Sequence, residues 1–194
     1  MHKNEVEQIE TATKWMMDKI SQLQRKGHVN WHTIPYFYHC VQVSNLVFKF
    51  GAGTVNNQLA SICHDVFEEN FSVTEQEMES VTNPNVVSIV KELTFDPKDM
   101  TKEEYMASFT TKSIDAIIIK IADRLCNVMD FKLTQPDYSY KYMNKAVPLF
   151  NAFYAKKDEI VAKYGHETYS RIYLAIEELF LVLRTKVGSK LILN

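Results

Sequence analysis

The chain has 194 residues, of which 46 % are apolar and 24 % are charged, as in an ordinary soluble globular domain. Its net charge of −2, without a long run of one sign, excludes a general nucleic-acid binder, which needs a basic surface. No apolar run reaches the roughly 18–20 residues of a membrane span, and the polar N-terminus does not resemble a signal peptide. Three cysteines without a Cys-x-x-Cys pair disfavour both a disulfide framework and a thiolate zinc site, and they predict a reducing, cytoplasmic setting.

The N-terminal third of the chain is predicted to form three helices. Residues 4–26 show an amphipathic helical pattern that ends in basic residues and Gly27, as helix C-termini often do. Pro35 is expected to open a second helix that ends at Gly51, and the apolar residues on both of its faces predict a central position. The third helix, over 56–69, is built mainly from apolar residues and is therefore expected to be buried.

The same signals predict helices along the rest of the chain. Capping-box patterns and prolines mark helix starts, and Gly165 marks a helix end. The elements are helices from Thr74, from Pro84 to about Thr94, from Thr101, over 113–131, over 138–163 with a kink or break at Pro148, and over 166–187. With only 5 Gly and 5 Pro in the chain, the prediction is one all-α domain over residues 1–194.

Polar side chains that could bind a metal lie on three of the helices predicted to be central. They are His39, His64, Asp65 and Asp123. Each is explained singly as a satisfied core or surface residue, but together they would carry unpaired polar groups into three apolar helices, which is costly. Two imidazoles and two carboxylates suit Mn²⁺, Fe²⁺, Co²⁺ or Zn²⁺, and such an ion lowers the pKa of a bound water. On a continuous helix Glu68 would lie one turn after His64, where it could accept a proton.

Four segments carry a family resemblance. They are Gln24-Arg-Lys26, Ile34-Pro-Tyr-Phe-Tyr-His39, Cys63-His-Asp-Val-Phe-Glu-Glu69 and Ile119-Lys-Ile-Ala-Asp-Arg-Leu-Cys-Asn127. Together they resemble the HD superfamily of metal-dependent phosphohydrolases, most closely the hydrolase domain of RelA/SpoT-type proteins and the small alarmone hydrolases of the metazoan SpoT-homologue type. The resemblance covers about residues 5–155. It implies a single HD-domain helical bundle, to which the uncovered segment 166–188 adds a C-terminal amphipathic helix.

The resemblance also implies a reaction, which is removal of the 3′-pyrophosphate from guanosine tetra- and pentaphosphate, the alarmones of the stringent response, by metal-bound hydroxide. It implies one Mn²⁺ per chain, held by His39, His64, Asp65 and Asp123. Other divalent transition metals are possible at the same site. Glu68 and Glu69 match the acidic pair that orients and deprotonates the attacking water. The second member of that pair is usually Asp in the family, so Glu69 is a departure.

Substrate-binding residues follow from the resemblance as well. They are Arg25, Lys26, Lys98, Asn127 and Tyr142. From the residues alone, the two basic side chains could instead cap the first helix, and Tyr142 could pack in the core. Two departures concern the substrate: Tyr138 stands where the family has an arginine, and Trp31 lies in an unusual loop beside the pocket.

Alternatives therefore remain for the substrate and for the class of protein. The same site could act on an adenosine alarmone, NADPH, or a deoxynucleotide mono- or triphosphate. A different class is an inactive sensor that binds a nucleotide, against which the intact ligand set argues. No nucleic-acid or membrane partner is expected, and the sequence leaves homo-oligomerisation open.

Overall fold

The computed structural model describes residues 3–23, 34–70, 72–131 and 135–192, and every regular element within them is a helix. This confirms the predicted all-α class. The helices are α1 (Lys3–Lys19), α2 (Phe37–Phe50), α3 (Val55–Cys63), α4 (Val66–Glu69), α5 (Glu75–Val81), α6 (Pro84–Leu93), α7 (Lys102–Ala107), α8 (Ile114–Phe131), α9 (Pro136–Lys145), α10 (Val147–Ala155), α11 (Lys157–Tyr164) and α12 (His166–Ile192), with a 3-10 turn at Ser108–Thr110. In these ranges no helix is long and apolar enough to cross a bilayer.

Helix α8 lies at the centre of the bundle. Every residue from 116 to 123 is buried, so this part of the helix is enclosed on all sides; the segment is apolar except for Lys120 and Asp123, which are buried as well. It packs against α2, which in turn packs against α3, while α6 contacts both α3 and α8. Each fully buried isoleucine of α8 contributes on the order of 1.5–3 kcal/mol by leaving water. The three helices that were predicted to carry metal ligands are therefore neighbours in the core.

Local capping explains most helix boundaries. Thr101 and Glu104 form the reciprocal capping box that was predicted, and the Thr74 hydroxyl accepts the N–H of Glu77. Gly51 ends α2 in the left-handed conformation at φ +94°, and a Cβ at this position would lie 2.6 Å from the hydroxyl of Thr168 in α12. A glycine is needed there for both reasons.

Helix α1 ends earlier than predicted. It stops at Lys19 rather than in the basic run at Arg25 and Lys26, so the expected extent of 4–26 is wrong. The side-chain amide of Asn70 donates to the backbone oxygen of Lys19 at 3.0 Å and satisfies a C-terminal carbonyl that a longer helix would have used. Arg25, Lys26 and Trp31 lie outside the described residues, and their predicted roles stay predictions.

The predicted helix over 56–69 is broken into α3 and α4 at His64 and Asp65. The Nδ1 of His64 donates to the backbone oxygen of Ser61 at 2.7 Å. In an uninterrupted helix that oxygen would accept the N–H of Asp65, so the imidazole competes with the helical ladder. The break turns the His-Asp pair inward at the end of α3, and it removes the continuous helix on which the position of Glu68 was predicted.

The C-terminal region forms four helices where two were predicted. The segment over 138–163 is divided into α9, α10 and α11, with the first break at Ala146, just before the Val147-Pro148 pair. Helix α12 packs on α9 and α11 and also reaches α2 and α8. The ring of Phe153 stacks on that of Tyr169, with centroids 4.8 Å apart. The C-terminal helix therefore closes the core.

Candidate metal centre and substrate pocket

Four buried side chains converge where α2, α8 and the turn between α3 and α4 meet. The Nε2 of His39 lies 3.1 Å from Oδ1 of Asp123 and 3.8 Å from Oδ2 of Asp65. The Nε2 of His64 lies 3.0 Å from Oδ2 of Asp65 and 3.8 Å from Oδ1 of Asp123. All four residues are less than a tenth exposed. The structure thus brings together the four residues that the sequence predicted as metal ligands.

The donor set fits a divalent transition-metal ion. Because the Nδ1 of His64 donates to Ser61, its Nε2 is the ring nitrogen that can present a lone pair to an ion; it faces Oδ2 of Asp65 at 3.0 Å, and no hydrogen bond to it is formed among the described residues. Donor atoms of His39, His64 and Asp65 lie within 4.8 Å of one another. Neighbouring ligands at ordinary metal–ligand distances are about 3 Å apart, close to the shortest separations in this cluster.

Electrostatics keep both carboxylates anionic. Burial alone would raise the pKa of Asp65, but the adjacent His64 outweighs burial and holds that pKa well below its usual range. Burial opposes ionisation of Asp123 as well, and Lys120 and His39 together hold its pKa well below the ordinary value. Burial lowers the pKa of His64, yet Asp65 and Asp123 more than offset it, so the pKa of this imidazole is raised.

A second layer of side chains holds the two carboxylates. The hydroxyl of Tyr36 donates to Oδ2 of Asp65 at 2.7 Å, and the amide of Asn127 donates to Oδ1 of Asp123 at 2.6 Å. The ammonium of Lys120 lies 3.0 Å from Oδ2 of Asp123. Neither Tyr36 nor Lys120 was predicted from the sequence as a site residue. The spacing of three residues from Lys120 to Asp123 on one helix was the available signal for the latter.

The two members of the predicted acidic pair, Glu68 and Glu69, point in different directions from α4. Glu68 lines the pocket beside the predicted metal ligands, and its Oε1 accepts the backbone N–H of Phe95 at 2.8 Å. Burial raises the pKa of Glu68, although Lys120 opposes the shift. Glu69 is exposed and does not line the pocket. Consecutive residues on a helix point about 100° apart, which accounts for the difference.

A cavity of about 430 Å³ opens in front of this cluster. Its walls come from α2, α4, α7, α8, α9 and the loop after α6. The residues that line it are Tyr36, His39, Asp65, Glu68, Phe95, Lys102, Glu103, Tyr105, Met106, Lys120, Asp123, Arg124, Asn127, Tyr138, Lys141, Tyr142 and Lys145. This volume lies within the range of small-molecule sites.

Two of the predicted substrate contacts, Asn127 and Tyr142, line this cavity, and the guanidinium of Arg124 lies 4.4 Å from the ring centroid of Tyr142. Lys98 is exposed and is not among the lining residues, whereas Lys102 is. Lys141 and Lys145 also line the cavity, and neither was predicted from the sequence. No sequence pattern distinguishes these three lysines from solvent-facing ones, so only the folded arrangement could find them.

Comparisons with known proteins agree with the motifs. No family model matches the chain. The chain is 30 % identical over 107 residues to the guanosine-3′,5′-bis(diphosphate) 3′-pyrophosphohydrolase MESH1 of Drosophila melanogaster. That match spans 53 % of the present chain and 59 % of the fly protein.

A solved structure of a metazoan ortholog of SpoT that hydrolyses ppGpp superposes with a TM-score of 0.69 at 23 % identity, covering 89 % of this chain and 93 % of the other. At this identity the likeness concerns the fold. The predicted resemblance to RelA/SpoT-type hydrolases is confirmed, in sequence over about half of the chain and in fold over most of it.

Proposed function

We propose that the protein is a metal-dependent phosphohydrolase that removes the 3′-pyrophosphate from guanosine tetra- or pentaphosphate. The observation that carries this proposal is the buried convergence of His39, His64, Asp65 and Asp123 at a cavity that can hold a nucleotide. The name of the fly relative supports the choice of substrate. A cytoplasmic location and the assignment of residues 1–194 to one domain stay predictions.

Mn²⁺, one per chain, is the proposed ion, and other divalent transition metals suit the same donors. When bound, such an ion lowers the pKa of water and offsets negative charge on a phosphoryl group. The chain itself fixes the ligands: Tyr36 holds Asp65, while Lys120 and Asn127 hold Asp123. Partners of this kind are what keep ligands oriented in metal sites.

Glu68 is the proposed general base. Its Oε1 is held by the N–H of Phe95, which leaves Oε2 to take a proton from the attacking water. The water oxygen bonds to the phosphorus that is attached to the ribose 3′ oxygen, and the bond between this phosphorus and the 3′ oxygen breaks. The proton that Glu68 accepts passes on, directly or through solvent, to the 3′ oxygen, which leaves as a hydroxyl. Lys120 and Arg124, which line the cavity, offset the charge of the phosphates.

The test is release of pyrophosphate from guanosine tetraphosphate by the purified protein with Mn²⁺, beside an Asp65→Ala variant. We expect release that requires both Mn²⁺ and Asp65. Exposed Glu69→Gln is a useful companion to Glu68→Gln, because we expect a fall of at least about 100-fold only for the latter. Equal losses would contradict the assignment of Glu68 as the base.

Absence of release would contradict the guanosine substrate. Metal analysis of the same sample would then separate the alternatives. A protein that holds one metal per chain stays a candidate hydrolase, to be screened with adenosine alarmones, NADPH and deoxynucleotides. A protein that holds none fits the inactive sensor instead.

A further inference from the structure

One whole face of α9 is turned toward the cavity. Tyr138, Lys141, Tyr142 and Lys145 all line it, and their spacing of three, four and seven residues places them on a single helical stripe. The helix packs into the bundle through other positions, since Ser139 and Met143 are its buried residues. Within the stripe, Tyr142 packs partly against the core, whereas Tyr138, Lys141 and Lys145 are exposed, so core packing does not explain these three side chains.

The aromatic part of the stripe forms a stack. The rings of Tyr138 and Tyr142 are stacked, with centroids 6.2 Å apart and planes 29° from parallel, and the Arg124 guanidinium lies over the Tyr142 ring. Tyr138 is 54 % exposed although it lines a concave pocket. A solvent-exposed ring in such a position offers a face to a planar ligand, and bases stack on aromatic side chains in this way.

The cationic part of the stripe is Lys141 and Lys145. Both are exposed, and in the part of the chain that the structure describes neither forms an ion pair. Lys145 lies in the last turn of α9, where a cation interacts favourably with the helix dipole, but Lys141 lies one turn before it and the two like charges repel, so helix stability does not explain Lys141. The cavity is lined by five basic and four acidic side chains, and without these two lysines the acidic ones would outnumber the basic ones.

We infer that the α9 stripe binds the part of the nucleotide that is not hydrolysed: Tyr138 stacks on the base, and Lys141 and Lys145 pair with a second phosphate arm, distant from the scissile group. This inference rests on the proposed function and deepens it. The metal ligands come from α2, α8 and the α3–α4 turn, so α9 contributes recognition without contributing to the metal centre. The favoured substrates are nucleotides phosphorylated at two separate positions.

The experiment compares two substrates with the same 3′-diphosphate: guanosine tetraphosphate, and a guanosine 3′-diphosphate with a free 5′ hydroxyl. We expect the double variant Lys141→Gln/Lys145→Gln to raise KM for the tetraphosphate about 10- to 100-fold with little change in kcat. The 5′-hydroxyl substrate should change less than about threefold. The matched control is Lys14→Gln/Lys49→Gln, two exposed lysines outside the cavity, which should leave both KM values unchanged.

Two substitutions of Tyr138 test its contact with the base. Tyr138→Ala should raise KM about tenfold for both substrates because both carry the base, whereas Tyr138→Phe should behave like the wild type. An unchanged KM in the lysine variant, or equal changes for the two substrates, overturns the phosphate assignment. An unchanged KM in Tyr138→Ala overturns the assignment of the base.

Binding of guanosine tetraphosphate, measured by titration calorimetry with Mn²⁺ in the Glu68→Gln background, separates this inference from the proposed function. Turnover by the wild type with no effect of the lysine variant leaves the function standing and overturns the inference. Binding that weakens at least tenfold in the lysine variant, without turnover by the wild type, supports the inference and contradicts the function. Absence of binding overturns the inference.

Discussion

Replacement of Lys120 tests the electrostatic design of the site. Lys120 is 5 % exposed, and its ammonium lies 3.0 Å from Oδ2 of Asp123, a proposed metal ligand. At an effective dielectric constant of about 20, two unit charges at this distance attract by about 5 kcal/mol before the cost of burying them is subtracted. Removing one partner of a buried pair typically costs about 3–5 kcal/mol, because the remaining charge is left uncompensated.

Lys120→Met removes the charge and keeps most of the side-chain volume. We expect the metal-free variant to lose about 3–5 kcal/mol of unfolding free energy at pH 7, a large part of the stability of a typical domain. Saturating Mn²⁺ should make the loss smaller, because an ion bound by Asp123 supplies the positive charge that the lysine no longer supplies. Urea unfolding with chelator and with Mn²⁺ measures both quantities.

Lys91→Met is the matched control, because Lys91 pairs with Glu75 at 2.8 Å but both side chains are 54 % exposed. We expect that variant to lose less than about 1 kcal/mol. A loss below about 1 kcal/mol in metal-free Lys120→Met would refute the stabilising role of the buried pair. A loss that is the same with and without Mn²⁺ would refute the assignment of Asp123 as a metal ligand.

Three further predictions concern the base, a ligand partner and the core. Burial raises the pKa of Glu68, so the folded state favours the protonated carboxyl. Metal-free Glu68→Gln should therefore match the wild type below about pH 4 and become the more stable protein as pH rises through the raised pKa. Urea unfolding across this pH range measures the difference, and the opposite trend would disprove the prediction. Tyr36→Phe removes the hydroxyl that bonds Asp65 and should weaken Mn²⁺ binding about 10- to 100-fold by titration calorimetry, whereas unchanged affinity would exclude this role. Phe153→Ala should cost about 3–5 kcal/mol in urea unfolding, because Phe153 is fully buried and stacks on Tyr169 of α12; a cost below about 1 kcal/mol would show that α12 is not docked there.

The sequence predicted most helix boundaries because the signals that set them are local. The Thr101 capping box, the proline at the start of α6 and the glycine that ends α2 each act within a few residues. Two of the errors have a different origin. The early end of α1 depends on Asn70, and the break at His64 depends on a side-chain bond to Ser61. Hydrogen bonds of this kind override periodicity and cannot be inferred from it.

The four proposed metal ligands could be named in advance because the family motif fixes their identity and order. Their surroundings could not. Whether Glu68 or Glu69 faces the cavity depends on where α4 begins, and that follows from the break at His64. The cavity face of α9 was equally hidden, since Lys141 and Lys145 on an amphipathic helix are typical of a solvent-facing side.

The charge balance of the site connects its stability with metal binding. The buried ammonium of Lys120 pairs with Asp123 but not with Asp65, so two buried carboxylates face one buried lysine in the described residues and the cluster favours a further positive charge. Without an ion, the two carboxylates that face Nε2 of His64 raise the pKa of this imidazole and so favour its protonated form. An ion bound at Nε2 would compete with a proton for the same atom. The orientation of Asp65 by Tyr36 and of Asp123 by Asn127 goes beyond what charge balance alone requires, and it favours an ion as the intended occupant.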